Sequence, residues 1–162
     1  MQIRAATSAD WAGIWPFLGA IVREGETYTW ASDITEEDAR TKWLVPKPWH
    51  VFVAVDPHGE IVGTAKVGPN QGGPGAHVAN ASFMVDPDHA GEGVGRALGE
   101  YLLQFARDAG FYAMQFNAVV ETNRNAVALW RSLGFEVLTT IPDAFRRPTG
   151  ELVGLHVMYR RL

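Results

Sequence analysis

The chain has 162 residues, with 14 Lys and Arg against 18 Asp and Glu, a formal net charge of −4. A length in this range serves one hydrophobic core, and a 47% apolar fraction with 8 Phe, 6 Trp and 4 Tyr supplies it, which argues against disorder. The mild acidity, with no basic run longer than the pairs Arg146-Arg147 and Arg160-Arg161, argues against nucleic acid as a partner, and the lack of cysteine excludes disulfides, thiolate nucleophiles and Cys-bound metals.

Residues 2–6 (QIRAA) read as a short strand. Ser8 then offers its hydroxyl as the cap of a helix with Trp11, Ile14, Trp15, Leu18, Ile21 and Val22 on one stripe, which Pro16 kinks or opens. The segment 24–33 (EGETYTWASD) is a loop rich in aromatics. Thr35 followed by Glu36, Glu37 and Asp38 marks a second helix start, where the macrodipole favours carboxylates, and Ala39, Trp43 and Leu44 form its buried side. Two apolar runs, 49–55 and 60–67, flank the turn Asp56-Pro-His-Gly59 and read as a β-hairpin.

A Gly/Pro loop (68–75) leads to a strand over 78–85. The clearest helix covers 93–109, with Val94, Leu98, Tyr101, Leu102 and Phe105 at steps of three and four and Gly110 as its stop. A strand over 113–120, a helix from about Asn123 to Leu133, and strands near 136–141 and 151–159 complete the order β-α-α-β-β-β-α-β-α-β-β. Hairpins mixed with a β-α-β unit predict an α/β sandwich with one mixed, mostly antiparallel sheet. Residues 1–10 reach polar and acidic residues before any apolar run of signal-peptide length, and no stretch approaches the roughly 18 apolar residues of a membrane span. One cytoplasmic domain over residues 1–162, free of membrane, is expected.

The strongest chemical feature is the segment 85–98 (VDPDHAGEGVGRAL), in which a strand passes through Pro87 into a glycine turn that opens the best helix. Gly91, Gly93 and Gly95 let the backbone bend tightly and bare its N–H groups at the positive end of a helix dipole. That geometry suits a pyrophosphate, with Gly91, Glu92, Gly93, Val94, Gly95 and Arg96 around it. No Lys-Ser/Thr follows, so this is no Walker loop, and the alternate glycines do not fit the dinucleotide spacing.

Here the sequence resembles the GCN5-related N-acetyltransferases, whose acetyl-CoA motif V-x-P-x-x-R/Q-G-x-G-I/V-G-x-x-L is matched by Val85, Pro87, Gly91, Gly93, Val94, Gly95 and Leu98. Their second stretch, N-x-x-A-x-x-L-Y-x-x-x-G-F, is matched by Asn123, Ala126, Leu129, Gly134 and Phe135. The resemblance covers nearly the whole chain and implies a sheet whose two central strands, here 78–85 and 113–120, splay apart. Edge amides near Met84 and Val85 would then pair with the pantetheine of acetyl-CoA, the expected co-substrate. Ala90 replaces the usual Arg or Gln, leaving the anion to backbone amides helped by Arg96. Trp130 replaces the Tyr that protonates the thiolate in many members; an indole N–H is too weak an acid, so Trp130 is expected to pack on the pantetheine arm.

Asn80 and Asn117 each interrupt an apolar strand at the middle of the splayed pair, and an amide buried there needs partners or costs about 1–3 kcal/mol. The run 116–123 (FNAVVETN), with Asn80 and Ile141-Pro142, resembles the fungal azetidine-2-carboxylate N-acetyltransferases, which act on proline analogues. That resemblance implies Asn80 and Asn117 as substrate-cleft residues and Asn123 as a cofactor-side residue; because an amide can both donate to an oxyanion and accept from the amine or its water, Asn80 and Asn117 are also the expected catalytic residues. The Glu26–Trp30 loop is similar to that of phosphinothricin-type acetyltransferases, where it covers the acceptor, and so implies Tyr28 and Trp30 as an apolar lid.

His50, His58 and His89 read as solvated, and His77 and His156 as candidate proton relays. No histidine pairs at metal-ligand spacing, so no metal is expected. No Asp or Glu falls in the strand 78–85, so a water held by Asn80 or by a carbonyl is the expected base. Arg146 and Arg147 are read as solvated loop arginines, with a substrate carboxylate as the alternative. The expected activity is direct acetyl transfer to the amine of a small amino or imino acid. Acceptors of the phosphinothricin or methionine-sulfoximine type, a protein N-terminus, and an acyl-CoA-binding module without turnover are the alternatives. A homodimer is left open.

Overall fold

The computed structural model describes all residues, 1–162. The strands are β1 (Gln2–Ala5), β2 (His50–Val55), β3 (Ile61–Pro69), β4 (Val78–Val85), β5 (Ala113–Val120), β6 (Glu136–Arg146) and β7 (Leu152–Arg161). The helices are α1 (Trp11–Glu24), α2 (Glu36–Trp43), α3 (Val94–Asp108) and α4 (Arg124–Ser132), so the element order is the one read from the sequence. One seven-stranded sheet runs β1-β2-β3-β4-β5-β7-β6, and every pairing is antiparallel except β4 with β5.

Two apolar layers hold the sheet. On one face Trp11, Ile14, Leu18 and Val22 of α1 and Ala39 and Trp43 of α2 bury against Val53 and Met84. On the other, Leu98, Leu102 and Ala106 of α3 and Trp130 of α4 cover Ala65, Val67, Ala79, Ala81, Met114 and Phe116. Small residues allow close approach: a Cβ at Gly63 would stand 2.8 Å from Val94, seating the start of α3 on β3.

Local chemistry corrects some boundaries. Ser8 does not cap α1. Residues Ser8–Asp10 form a 3-10 turn, in which the Asp10 carboxylate accepts the Thr7 N–H at 2.6 Å and hydroxyl at 2.9 Å while pairing with both terminal nitrogens of Arg4. That fork holds the Asp10 carboxyl well below the usual carboxylate range, Arg4 being the main cause. Pro16 lies inside α1, which is a single helix that ends at Gly25 with φ of 71°. Strand β6 runs on to Arg146 instead of stopping near Ile141. Pro142 has no N–H to donate, and the ladder shifts register between Ile141 and Phe145, where Asp143 takes φ of 55°, before resuming.

The sheet is deliberately incomplete at its centre. Strands β4 and β5 pair only at Val78–Ala113 and Ala79–Met114. Beyond that point β5 follows β7, with an irregularity between Phe116 and Val119 that leaves Asn117 and Ala118 out of the ladder. The splay opens one edge of β4.

Candidate active site

The phase of the β3–β4 ladder decides which backbone groups reach the opening. The Asn70 N–H donates to Val78 and the Asp86 N–H to Val62, at the two ends of a ladder without register shifts. Antiparallel alternation then points the amides of Asn80, Ser82 and Met84 at β3 and those of Ala81, Phe83 and Val85 at the splay. Met84 is therefore corrected as a pantetheine-pairing amide, because its backbone is engaged by Thr64; Val85 keeps the expected orientation.

A cleft of about 360 Å³ fills the splay, and Asn80, Met84, Val85, Asn117, Asn123, Trp130, Tyr28 and Trp30 all line it. No charged side chain does. Neither His77 nor His156 reaches it: His77 Nδ1 lies 3.0 Å from the Pro74 carbonyl, and His156 Nδ1 bonds to the Thr140 hydroxyl at 2.7 Å.

The two asparagines differ. Asn80 is half-buried on the α1/α2 face of the sheet, and its side-chain amide has no partner within the chain. Asn117 is exposed, not buried as expected, since the bulge lifts it from the ladder. Its Oδ1 accepts from Gln115 at 2.8 Å and its Nδ2 donates to Asn70 at 2.7 Å, which orients the amide at the mouth of the cleft. Asn123 caps α4 by accepting the Ala126 N–H at 3.3 Å, leaving its amide nitrogen free.

Tyr28, in the Glu26–Trp30 loop, donates to the Phe83 carbonyl at 2.9 Å, so one splay-facing carbonyl is already engaged. Burial pushes its hydroxyl well above the usual tyrosine range, which keeps the proton in place. Tyr28, Trp30 and Trp43 meet edge to face. Trp130 is 7% exposed, with its ring 4.6 Å from Phe83 and 4.9 Å from Phe116. Its benzo edge abuts Gly99, where a Cβ would stand 3.2 Å away, so it contributes packing as much as cleft wall.

The glycine turn lies next to the cleft, not in its wall; a Cβ at Gly95 would be 3.6 Å from Val85, which joins the two. Gly91 and Gly93 have φ of 85° and 84°, where other residues are strained. The first helical bond of α3 is Ala97 N–H to Gly93, so the N–H groups of Gly91, Gly93, Val94, Gly95 and Arg96 have no acceptor in the chain. Such a nest at a helix start suits the diphosphate of CoA. Glu92 points away to His89 Nδ1 at 3.0 Å, and Arg96 donates to Ser132 at 2.7 Å, tying α3 to α4.

The solvated reading of Arg147 is also corrected. It bridges Glu26 at 2.8 Å and Glu151 at 2.7 Å, and so ties the Glu26–Trp30 loop to the β6–β7 hairpin. A pairing across 121 residues leaves no local signal. Ser82, Thr27 and Thr29 also line the cleft and were missed; the alternation that places Ser82 beside Asn80 was the available clue for the first.

The sequence is 35% identical over 101 residues to N-acetyltransferase aca1 of Schizosaccharomyces pombe, covering 62% of this chain and 48% of that protein, so the match spans about half of the relative's length. It is 32% identical over 150 residues to the L-amino acid N-acyltransferase MnaT of Escherichia coli K12, covering 88% of this chain and 84% of that one. The structure of a GCN5-related N-acetyltransferase from Kribbella flavida superposes with a TM-score of 0.95 at 52% identity, over 99% of this chain and 97% of that one. Residues 15–135 match the Acetyltransferase (GNAT) family, and the chain belongs to it.

Proposed function

We propose that this acetyltransferase moves the acetyl group of acetyl-CoA, its co-substrate, directly to the amine of a small amino or imino acid of the azetidine-2-carboxylate and proline-analogue type. The observation that carries the reading is the splayed β4 edge, which leads from the amide nest of α3 into a cleft without charged side chains. The Phe83 N–H and both backbone groups of Val85 are free to pair with an extended pantetheine, while the nest takes the diphosphate.

The acceptor must arrive as a neutral amine. No carboxylate or imidazole lines the cleft, so its proton leaves through water held by Asn80 or by a splay-facing carbonyl. The nitrogen attacks the thioester carbon, a C–N bond forms, the carbonyl electrons move onto oxygen, and the now cationic nitrogen gives up one N–H proton to the same water. Asn80, whose amide lacks a protein partner, donates to that oxyanion, and Asn117 orients the acceptor. Collapse breaks the C–S bond, and the thiolate takes up a proton from solvent. Trp130 shapes the wall without acting as an acid. Tyr28 keeps its proton, which is engaged by Phe83.

The amino-acid acceptor of the Escherichia coli relative supports the substrate class. Thiol detection with acetyl-CoA and a panel of amines tests it. The panel holds azetidine-2-carboxylate, proline, methionine sulfone, phosphinothricin and a peptide with a free N-terminus. Release of CoA with the cyclic imino acids is the expected result. Preference for the acyclic acids or the peptide would displace the substrate assignment, and binding without release would leave a non-catalytic module.

A further inference from the structure

Lys66 is the one charged residue of β3, and it lies beneath the acceptor loop. Its ladder partner is Ser82, whose side lines the cleft. The ammonium donates to the Lys42 carbonyl at 2.7 Å, in the last turn of α2 where carbonyls lack helical partners. Three indoles surround the same nitrogen, with ring centroids at 5.2 Å for Trp43, 5.6 Å for Trp49 and 5.9 Å for Trp30. They come from the end of α2, the segment before β2 and the acceptor loop.

Trp43 and Trp49 are fixed against the sheet, while Trp30, in the loop, packs edge to face on Tyr28 and Trp43. Trp43 is fully buried and donates its N–H to the Thr64 hydroxyl at 3.0 Å. Trp49 lies flat against Gly68, where a Cβ would come within 2.4 Å of the ring. Trp30 is the only one of the three that also lines the cleft. An ammonium attracts the face of an indole, more strongly where water is partly excluded. With Trp43 and Trp49 anchored, that attraction adds to the edge-to-face contacts that hold Trp30. Burial, with Lys42 nearby, pushes Lys66 down to about 8, which leaves it charged at pH 7.

We propose that Lys66 is the positioning residue of the acceptor lid, its charge holding Trp30 in place over the acceptor end of the cleft. The proposal rests on the reading of the Tyr28–Trp30 loop as the acceptor cover. It makes Lys66 a determinant of acceptor affinity without contact with either substrate.

The test uses Lys66→Met, which keeps the stem and removes the charge, and Lys66→Arg, which keeps a cation. In protein labelled with 5-fluorotryptophan, Lys66→Met should shift and broaden the Trp30 fluorine resonance, assigned through Trp30→Phe, and leave those of Trp11, Trp15 and Trp130 in place. With azetidine-2-carboxylate, Lys66→Met should raise the acceptor KM about tenfold, with kcat and the acetyl-CoA KM within twofold of the parent. Lys66→Arg should stay within about threefold. An unmoved Trp30 resonance, or an acceptor KM unchanged in Lys66→Met but raised in Trp30→Ala, overturns the role of Lys66 while the lid reading stands. An acceptor KM unchanged in both variants overturns the lid reading itself, and the proposal with it.

Discussion

Truncating Asn80 separates catalysis from stability more sharply than any other change in the cleft. The side-chain amide has no protein partner, so Asn80→Ala removes no internal hydrogen bond and leaves no buried group unpaired. A substitution of that kind changes stability by about 0.5 kcal/mol or less. For a chain of this size that is under about 2 °C in Tm. The loss of one donor to a developing oxyanion costs about 2.7–4 kcal/mol of barrier, or 10²–10³ in kcat. The assay is thiol release under saturating acetyl-CoA, beside thermal unfolding and calorimetric titration of acetyl-CoA. A large fall in kcat with Tm and acetyl-CoA affinity unchanged is expected. Asn117→Ala is the internal contrast, since it also breaks the bonds to Gln115 and Asn70 and should lower both activity and Tm. Normal specific activity in folded Asn80→Ala would refute the reasoning.

Gly93→Val should lower acetyl-CoA affinity at least tenfold and reduce stability by about 1–3 kcal/mol, because φ of 84° strains a β-branched residue at the entrance to the amide nest; calorimetry showing parental affinity would contradict this. Trp130→Phe should keep activity within about tenfold, since packing against Phe83 and Phe116 survives in part; a loss beyond about a hundredfold is the signature of a missing general acid. Asp10→Asn should destabilise at pH 7. The folded carboxyl titrates below its unfolded value of about 3.9, so its contribution is complete above that pH and drains away as the pH falls. Urea unfolding should show the gap between Asp10→Asn and the parent narrowing as the pH falls from 5 to 3, and a constant gap would remove the Arg4–Asp10 pair as its cause.

The sequence displayed what depends on local pattern. Stripe spacing in α1 and α3, the Thr35 cap, the turn at Asp56 and the glycines at 91 and 93 all act within a few residues, and each element formed where those signals stood. The end of β6 was hidden because Pro142 reads as a stop, whereas a bulged edge strand accommodates it. In the candidate site, alternation placed Asn80 and Ser82 on one face. It failed at Asn117, since the irregularity in the β5–β7 ladder drops Asn117 and Ala118 from the pairing, and that pairing is made with a strand far along the chain. The engagement of Met84 by β3, of Tyr28 by Phe83 and of Arg147 by Glu26 are all settled by strands or loops far apart in the chain.

The most direct test of direct transfer to a small acceptor is an initial-rate grid over acetyl-CoA and azetidine-2-carboxylate. Reciprocal plots that intersect, with one CoA released per acetylated acceptor, are predicted, because both substrates must occupy the splayed cleft together. Parallel lines, which mark a covalent acetyl-enzyme, or no CoA release above background hydrolysis would contradict it.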